Sequence, residues 1–190
     1  PIRAAVFVLT LLFSQCGTGA VSAEALVLRE ADLDPIYRLD PKSSFDLDVR
    51  YRDLCGKKAS AAEADGCYEK LSMGMAGGYD AVFRALAGMD VAFYTVRSTV
   101  FLFPKEASAD TAYEKLSDPR TGFAQEFNVP MASLGDRSVV RHAAGADDSG
   151  YFNYFRVVLQ IGRAVVEVEV DGTRPASTEA LKVAERDDFA

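Results

Sequence analysis

The stretch from Tyr151 to Asp171 carries the most regular pattern of apolar and polar positions in the chain. Two runs of β-branched and aromatic residues flank the Gly-Arg pair at 162–163, and this spacing predicts a β-hairpin with a two-residue turn. Because side chains alternate along strands, one face is predicted to be apolar and the other to pair Arg156 with Glu169. In this register Ile161 faces Ala164, Leu159 faces Val166, Val157 faces Val168 and Phe155 faces Val170, and the last six are predicted to be buried together.

The remaining apolar periodicities predict further strands and a few helices. Ala109, Ala112, Tyr113 and Leu116 form a stripe at helical spacing, with Ser108 as a candidate N-cap. Runs of strands with few helices are typical of the α+β class, here an antiparallel sheet of about five strands with helices packed on one face. The predicted strands are Ser44–Leu54, Tyr79–Ala85, Met89–Phe103 and Arg137–His142, the predicted helices are Lys105–Leu116, Thr121–Phe127 and Ser177–Glu185, and residues 143–150 are predicted to form a polar loop.

Composition narrows the classes of partner. The chain has 190 residues, of which 49% are hydrophobic, which suits one globular domain with a sizeable core. Its formal net charge is −7 and it has no basic cluster. Because nucleic acids and anionic membrane surfaces recruit clustered Lys and Arg, neither is an expected partner.

The N-terminus has the features of an export signal. Ala4–Phe13 is an apolar run behind Arg3, and small residues follow it up to Ala23, so residues 1–23 are predicted to be a signal peptide. Residues 24–190 are then a single α+β domain. The apolar run is too short to span a bilayer, so no transmembrane span is expected in the mature form. Cys16, followed by small residues, offers the alternative of a lipoprotein anchor, and in both cases the domain is secreted or held at the cell envelope.

Export gives the other two cysteines a role. An oxidising compartment favours pairing Cys55 with Cys67, so the sequence predicts a disulfide there, with free buried thiols as the alternative. Two cysteines and the distant His142 do not make a zinc site, and no metal is expected.

Residues with an obvious catalytic role are scarce. His142 is the only histidine, no catalytic serine motif or zinc-protease motif surrounds it, and no glycine loop has a phosphate-binding context. The sequence therefore favours a protein without catalytic activity and without a cofactor. The alternative is a secreted hydrolase that uses dispersed carboxylates or His142.

Aromatic residues at the start of the hairpin suggest a binding surface instead. Phe152 and Tyr154 fall on the face opposite Phe155, beside Arg156. Aromatic rings next to an arginine are common anchors for a protein partner or a small apolar ligand. Phe152, Tyr154 and Arg156 are therefore the candidate binding residues, and the alternative is that a loop or helix covers them.

The chain resembles the compact α+β domains of bacterial secreted proteins and lipoproteins. The resemblance rests on the exported N-terminus, Leu134-Gly135-Asp136, the hairpin with Gly162, and Val170-Asp171-Gly172 before an alanine-containing segment. Some related domains serve as extracellular sensor modules, so the resemblance implies an exported binding or sensing role. It implies no functional residue.

Overall fold

The computed structural model describes residues 22–58, 60–86, 91, 93–119, 127–129, 134–147 and 150–172. The side chains of 127, 146, 147 and 150–152 are outside this description. Of the predicted helices, residues 121–126 and Ser177–Glu185 lie outside the described residues. The α+β class is confirmed.

One antiparallel sheet organises the described chain. Five long strands form its centre and three short strands extend it, so the sheet has eight strands where about five were predicted. The strand order is β1-β3-β4-β8-β7-β6-β5, and β2 also pairs with β3. The strands are β1 (Tyr37–Leu39), β2 (Phe45–Asp46), β3 (Gly77–Ala85), β4 (Thr95–Leu102), β5 (Phe127–Asn128), β6 (Arg137–Asp147), β7 (Gly150–Ile161) and β8 (Ala164–Asp171).

The predicted hairpin is formed by β7 and β8 with the predicted register, from Ile161 opposite Ala164 to Phe155 opposite Val170. Gly162 begins the turn with a φ of 52°, a conformation that glycine adopts without steric cost. Burial along the predicted core face decreases from the turn end of the hairpin toward its open end. Leu159 and Val166 are buried, Val157, Val168 and Val170 are partly buried against the same core cluster, and Phe155 is partly exposed.

The second face of the hairpin is also covered, which is the alternative that the sequence left open to a binding surface there. Helix α4 (Glu106–Ser117) packs there, and Val158 and Val165 join a second core cluster with its buried alanines. The predicted helix is confirmed with its apolar stripe, but its N-cap is Lys105 and not Ser108. The hairpin is thus central to the fold and carries a core on both faces.

The strand predicted over Ser44–Leu54 is wrong. Only Phe45–Asp46 is extended, and Leu47–Cys55 forms helix α2. The Asp46 carboxylate accepts the Val49 N–H at 3.0 Å and so caps this helix. The Asp48–Arg52 ion pair joins positions i and i+4, a spacing that supports a helix and that the alternating pattern concealed.

The remaining described elements include an extension of β6 and two further helices. Residues 143–147 continue strand β6, because the pairing of β6 with β7 extends to Asp147 opposite Gly150. The polar loop predicted over residues 143–150 is therefore wrong at 143–147. Helix α3 (Ala61–Ser72) packs on α2. On the opposite face of the sheet, the short helix α1 (Ala23–Leu26) and the chain after it contact β3 and β4.

Candidate functional site

The predicted disulfide is present. Cys55 at the end of α2 is bonded to Cys67 in the middle of α3, with 5.7 Å between the Cα atoms. The bond joins two helices that pack on each other.

The predicted binding residues on the hairpin lie mostly in the interior. Tyr154 is 6% exposed, and its hydroxyl donates to the Glu169 carboxylate at 2.9 Å. Arg156 is only 2% exposed. The side chain of Phe152 lies outside the described residues. Helix α4 packs on this face of the hairpin, and the guanidinium of Arg156 contacts the end of that helix.

Arg156 holds the C-terminal end of α4 against the sheet. Its guanidinium donates to the carbonyls of Leu116 and Asp118, both at 2.7 Å, and lies 3.4 Å from the Glu167 carboxylate. Arg141 donates to the carbonyl of Ser117 in the same turn. The last carbonyls of a helix have no partner within the helix and carry partial negative charge, so two arginines stabilise this end.

His142 lies on β6 against the hairpin. Its ring stacks on Phe155 with 4.1 Å between centroids, and its Nε2 is 2.9 Å from the Asn153 side-chain oxygen. These contacts fix the ring on the sheet. In the described residues, no group of three or more His, Cys, Asp and Glu is arranged to hold a metal ion.

Carboxylates are buried on the α4 side of the sheet. Asp80 is 4% exposed, accepts a hydrogen bond from the Thr99 hydroxyl at 2.9 Å and lies 3.4 Å from the Arg97 guanidinium. Burial raises the pKa of Asp80 in spite of these partners. The hydrogen bond and the ion pair of Asp80 both join it to side chains of the neighbouring strand β4, and they tie the two strands together.

A groove on the opposite face of the sheet is the best candidate site. It lies between the segment 22–30 and strand β3, has a volume of about 460 Å³ and is open to solvent. Such a volume falls within the range of ligand sites in proteins. The lining residues are Ser22, Glu24, Ala25, Val27, Leu28, Arg29, Glu30, Leu39, Tyr79, Ala81 and Phe83.

The groove is built by residues far apart in sequence. Its floor comes from alternate residues of β3, Ala81 and Phe83, which are buried, and its wall from Val27 and Leu28. The Leu28 N–H donates to the Ser98 hydroxyl at 3.2 Å, and this bond fixes the wall to the neighbouring strand. An apolar floor beneath a polar rim is the usual composition of a small-molecule site.

Charged and polar groups surround this floor. The Glu30 carboxylate accepts a hydrogen bond from the Leu39 N–H at 2.7 Å, which holds the Glu30 side chain in place. Burial, followed by the charge of Glu24, raises the pKa of Tyr79, so its hydroxyl stays protonated at neutral pH. Arg29 is exposed beside the wall. One part of this site could be predicted from the sequence, the strand over Tyr79–Ala85, but no sequence signal indicated that segment 22–30 packs beside it.

The comparisons with known proteins assign no family. No protein-family model matches the chain, and no curated protein matches it. Among solved structures, the chain is similar to the extracellular domain of PknH from Mycobacterium tuberculosis, with 14% sequence identity and a TM-score of 0.48 over 89% of this chain and 95% of that chain. A similarity this weak assigns neither ligand nor function. Within the described residues, no helix is long and apolar enough to cross a membrane.

Proposed function

We propose that this protein is an exported, non-enzymatic domain that binds a small apolar ligand in the groove between segment 22–30 and β3. The observation that carries the proposal is the groove itself, with a buried floor of Ala81 and Phe83 and a volume of about 460 Å³. The N-terminal apolar run and the Cys55–Cys67 bond support export, because disulfides persist in oxidising compartments.

The groove replaces the hairpin as the proposed site. Tyr154 and Arg156 are buried by contacts within the fold and so are not accessible to a ligand in this structure. The groove, in contrast, is open to solvent. A preformed apolar site lowers the cost of binding because little of the protein must be ordered.

Binding of a neutral apolar dye tests this function. Nile red is expected to bind the full chain at one saturable site with a blue-shifted emission. Ala25→Trp places a large ring at the exposed rim of the groove and is expected to weaken binding by roughly ten-fold or more, which is about 1.4 kcal/mol.

The matched control is Ala62→Trp, at an exposed position of α3, the helix that packs on α2 and contributes no residue to the groove lining. This variant is expected to bind the dye as the wild type does. Equal dye affinity in the wild type and Ala25→Trp would overturn the proposed site.

A further inference from the structure

The groove has a carboxylate toward each end of its apolar floor. Glu30 lies toward the Phe83 end, because its carboxylate accepts the Leu39 N–H at 2.7 Å and Leu39 pairs with Phe83. Glu24 lies toward the Tyr79 end, since its charge acts on the Tyr79 hydroxyl. Tyr79 and Phe83 are four residues apart on β3, which is about 13 Å along a strand. The groove is therefore long enough for a chain molecule with an acid near its end.

The lining as a whole carries more negative than positive charge. Glu24 and Glu30 are its acids and Arg29 is its one cation, so two negative charges against one positive leave a formal charge of −1. Glu24 is exposed and makes no hydrogen bond or ion pair with the described residues. Its carboxylate is thus available to a ligand, whereas that of Glu30 already accepts a backbone N–H.

The Tyr79 end of the groove has a negative potential. Burial raises the pKa of the Tyr79 hydroxyl, and the charges of Glu24, Asp46 and Asp80 raise it further. Asp46 is the register partner of Tyr79 across β2 and β3. Each of the charges that act on this hydroxyl is negative, so the position beside it favours a cation and disfavours an anion.

We infer that the ligand is an apolar amine, with its protonated nitrogen beside Glu24 at the Tyr79 end and its hydrocarbon part on the floor of Ala81 and Phe83. The inference rests on the proposed function and adds the ligand's charge to it. A carboxylate attracts the ammonium group, and a tyrosine ring adds cation–π attraction. An alkylamine is chemically the end of a lysine side chain, and such an amine is protonated at neutral pH.

Competition against bound Nile red at pH 7 tests this inference on the full chain. Decylamine is expected to displace the dye at a concentration roughly three-fold to five-fold lower than decanol, which has the same chain and a neutral head. Decanoate is expected to need a higher concentration than decanol. The factor is modest because Glu24 is exposed, where water weakens an ion pair.

Two variants separate the effect of Glu24 from the overall acidity of the protein. Glu24→Gln is expected to bring decylamine and decanol to equal displacing concentrations. Glu69→Gln removes the same charge at an exposed position of α3 outside the groove lining, and it is the matched control that is expected to retain the preference. The ratio of the two concentrations is compared within each variant, so the result does not depend on dye affinity.

The outcomes distinguish this inference from the proposed function. If decylamine and decanol compete equally in the wild type while Ala25→Trp still blocks the dye, the cationic head is wrong and the apolar groove stands. If Glu24→Gln keeps the preference, or Glu69→Gln loses it equally, Glu24 is not the partner of the ammonium group. If Ala25→Trp leaves dye binding intact, the proposed function itself fails.

Discussion

At the scale of single residues, Arg156 shows that a side chain predicted to bind a ligand can have a structural role once it is buried. In sequence it stands beside aromatic residues on a strand and has the appearance of a binding anchor. In the fold its guanidinium satisfies two carbonyls at the end of α4 and neighbours Glu167, and only 2% of the residue is exposed. Its exposure could not be predicted because it depends on α4, some 40 residues earlier in the chain.

Replacing Arg156 is expected to destabilise the fold. Arg156→Leu removes the bonds to Leu116 and Asp118 and a charge partner of Glu167, and breaking a buried ion pair costs roughly 3–5 kcal/mol. Urea unfolding measures the loss. Arg163→Leu at the exposed turn is the control and is expected to change little. An unchanged midpoint for Arg156→Leu would show that these contacts do not stabilise the fold.

Asp80 is expected to make stability depend on pH. Because burial raises its pKa in the fold, its stabilising contribution is complete below the ordinary value of 3.8 and is lost as pH rises through the raised pKa. Asp80→Asn is therefore expected to have a higher urea midpoint than the wild type at pH 7 and a similar one near pH 3. A lower midpoint at pH 7 would show that the contacts with Arg97 and Thr99 outweigh burial.

Asp40 provides a control of opposite sign. A hydrogen bond from Arg84 holds the pKa of this carboxyl down, at about 2. The ionised Asp40 therefore adds to the free energy of unfolding above pH 3.8, the ordinary pKa of the group, and this contribution is lost as pH falls through about 2. Asp40→Asn is thus expected to lower the midpoint at pH 7, the reverse of Asp80→Asn.

At the scale of elements, the disulfide is the clearest constraint. In the described chain, α3 packs chiefly on α2, and the Cys55–Cys67 bond closes the connection between them. Reduction is expected to destabilise the protein by roughly 3 kcal/mol, the value for a loop of about this size. Hydrogen exchange should show loss of protection in Ala61–Ser72 while β4 stays protected.

The control for this experiment is the chain with both Cys55→Ser and Cys67→Ser, in which the reductant should have no effect. Unchanged exchange of Ala61–Ser72 in the reduced wild type would show that packing on α2 suffices to hold the helix.

The N-terminal boundary of the domain is a second question at this scale. Ser22 caps α1, and Ala23 is buried in the core cluster of the groove face. We expect a chain that begins at Glu24 to unfold at lower urea concentration than one that begins at Gly19. Loss of an N-cap alone costs about 1 kcal/mol, and the new α-ammonium at a helix start is unfavourable. Equal midpoints would make cleavage after Ala23 compatible with the complete fold.

Elements differed in how well sequence predicted them. The β7–β8 register followed from alternation and a glycine turn, two local signals that agree. Leu47–Cys55 shows the reverse case, because alternating residues mimic a strand over a short helix that is fixed by its Asp46 cap and by the Cys55–Cys67 bond. The capping aspartate and the acid–base pair four residues apart were the signals of the helix.

At the scale of the whole molecule, the two faces of the sheet are packed differently. One face supports α2 and α4 and buries a polar network around Arg156 and Asp80. The other face receives segment 22–30 and retains the groove. Sequence alone could not place this groove, since its wall is joined to its floor by contacts such as that of Leu28 with Ser98, 70 residues away.

The groove is tested most directly by an NMR titration of the ¹⁵N-labelled full chain with dodecanol, a neutral apolar ligand. Saturable shifts are expected in the backbone amides of residues 22–30 and 79–83, which form the wall and floor. Shifts confined to residues 152–156 of the hairpin, with segment 22–30 unaffected, would contradict the groove and return the site to the hairpin.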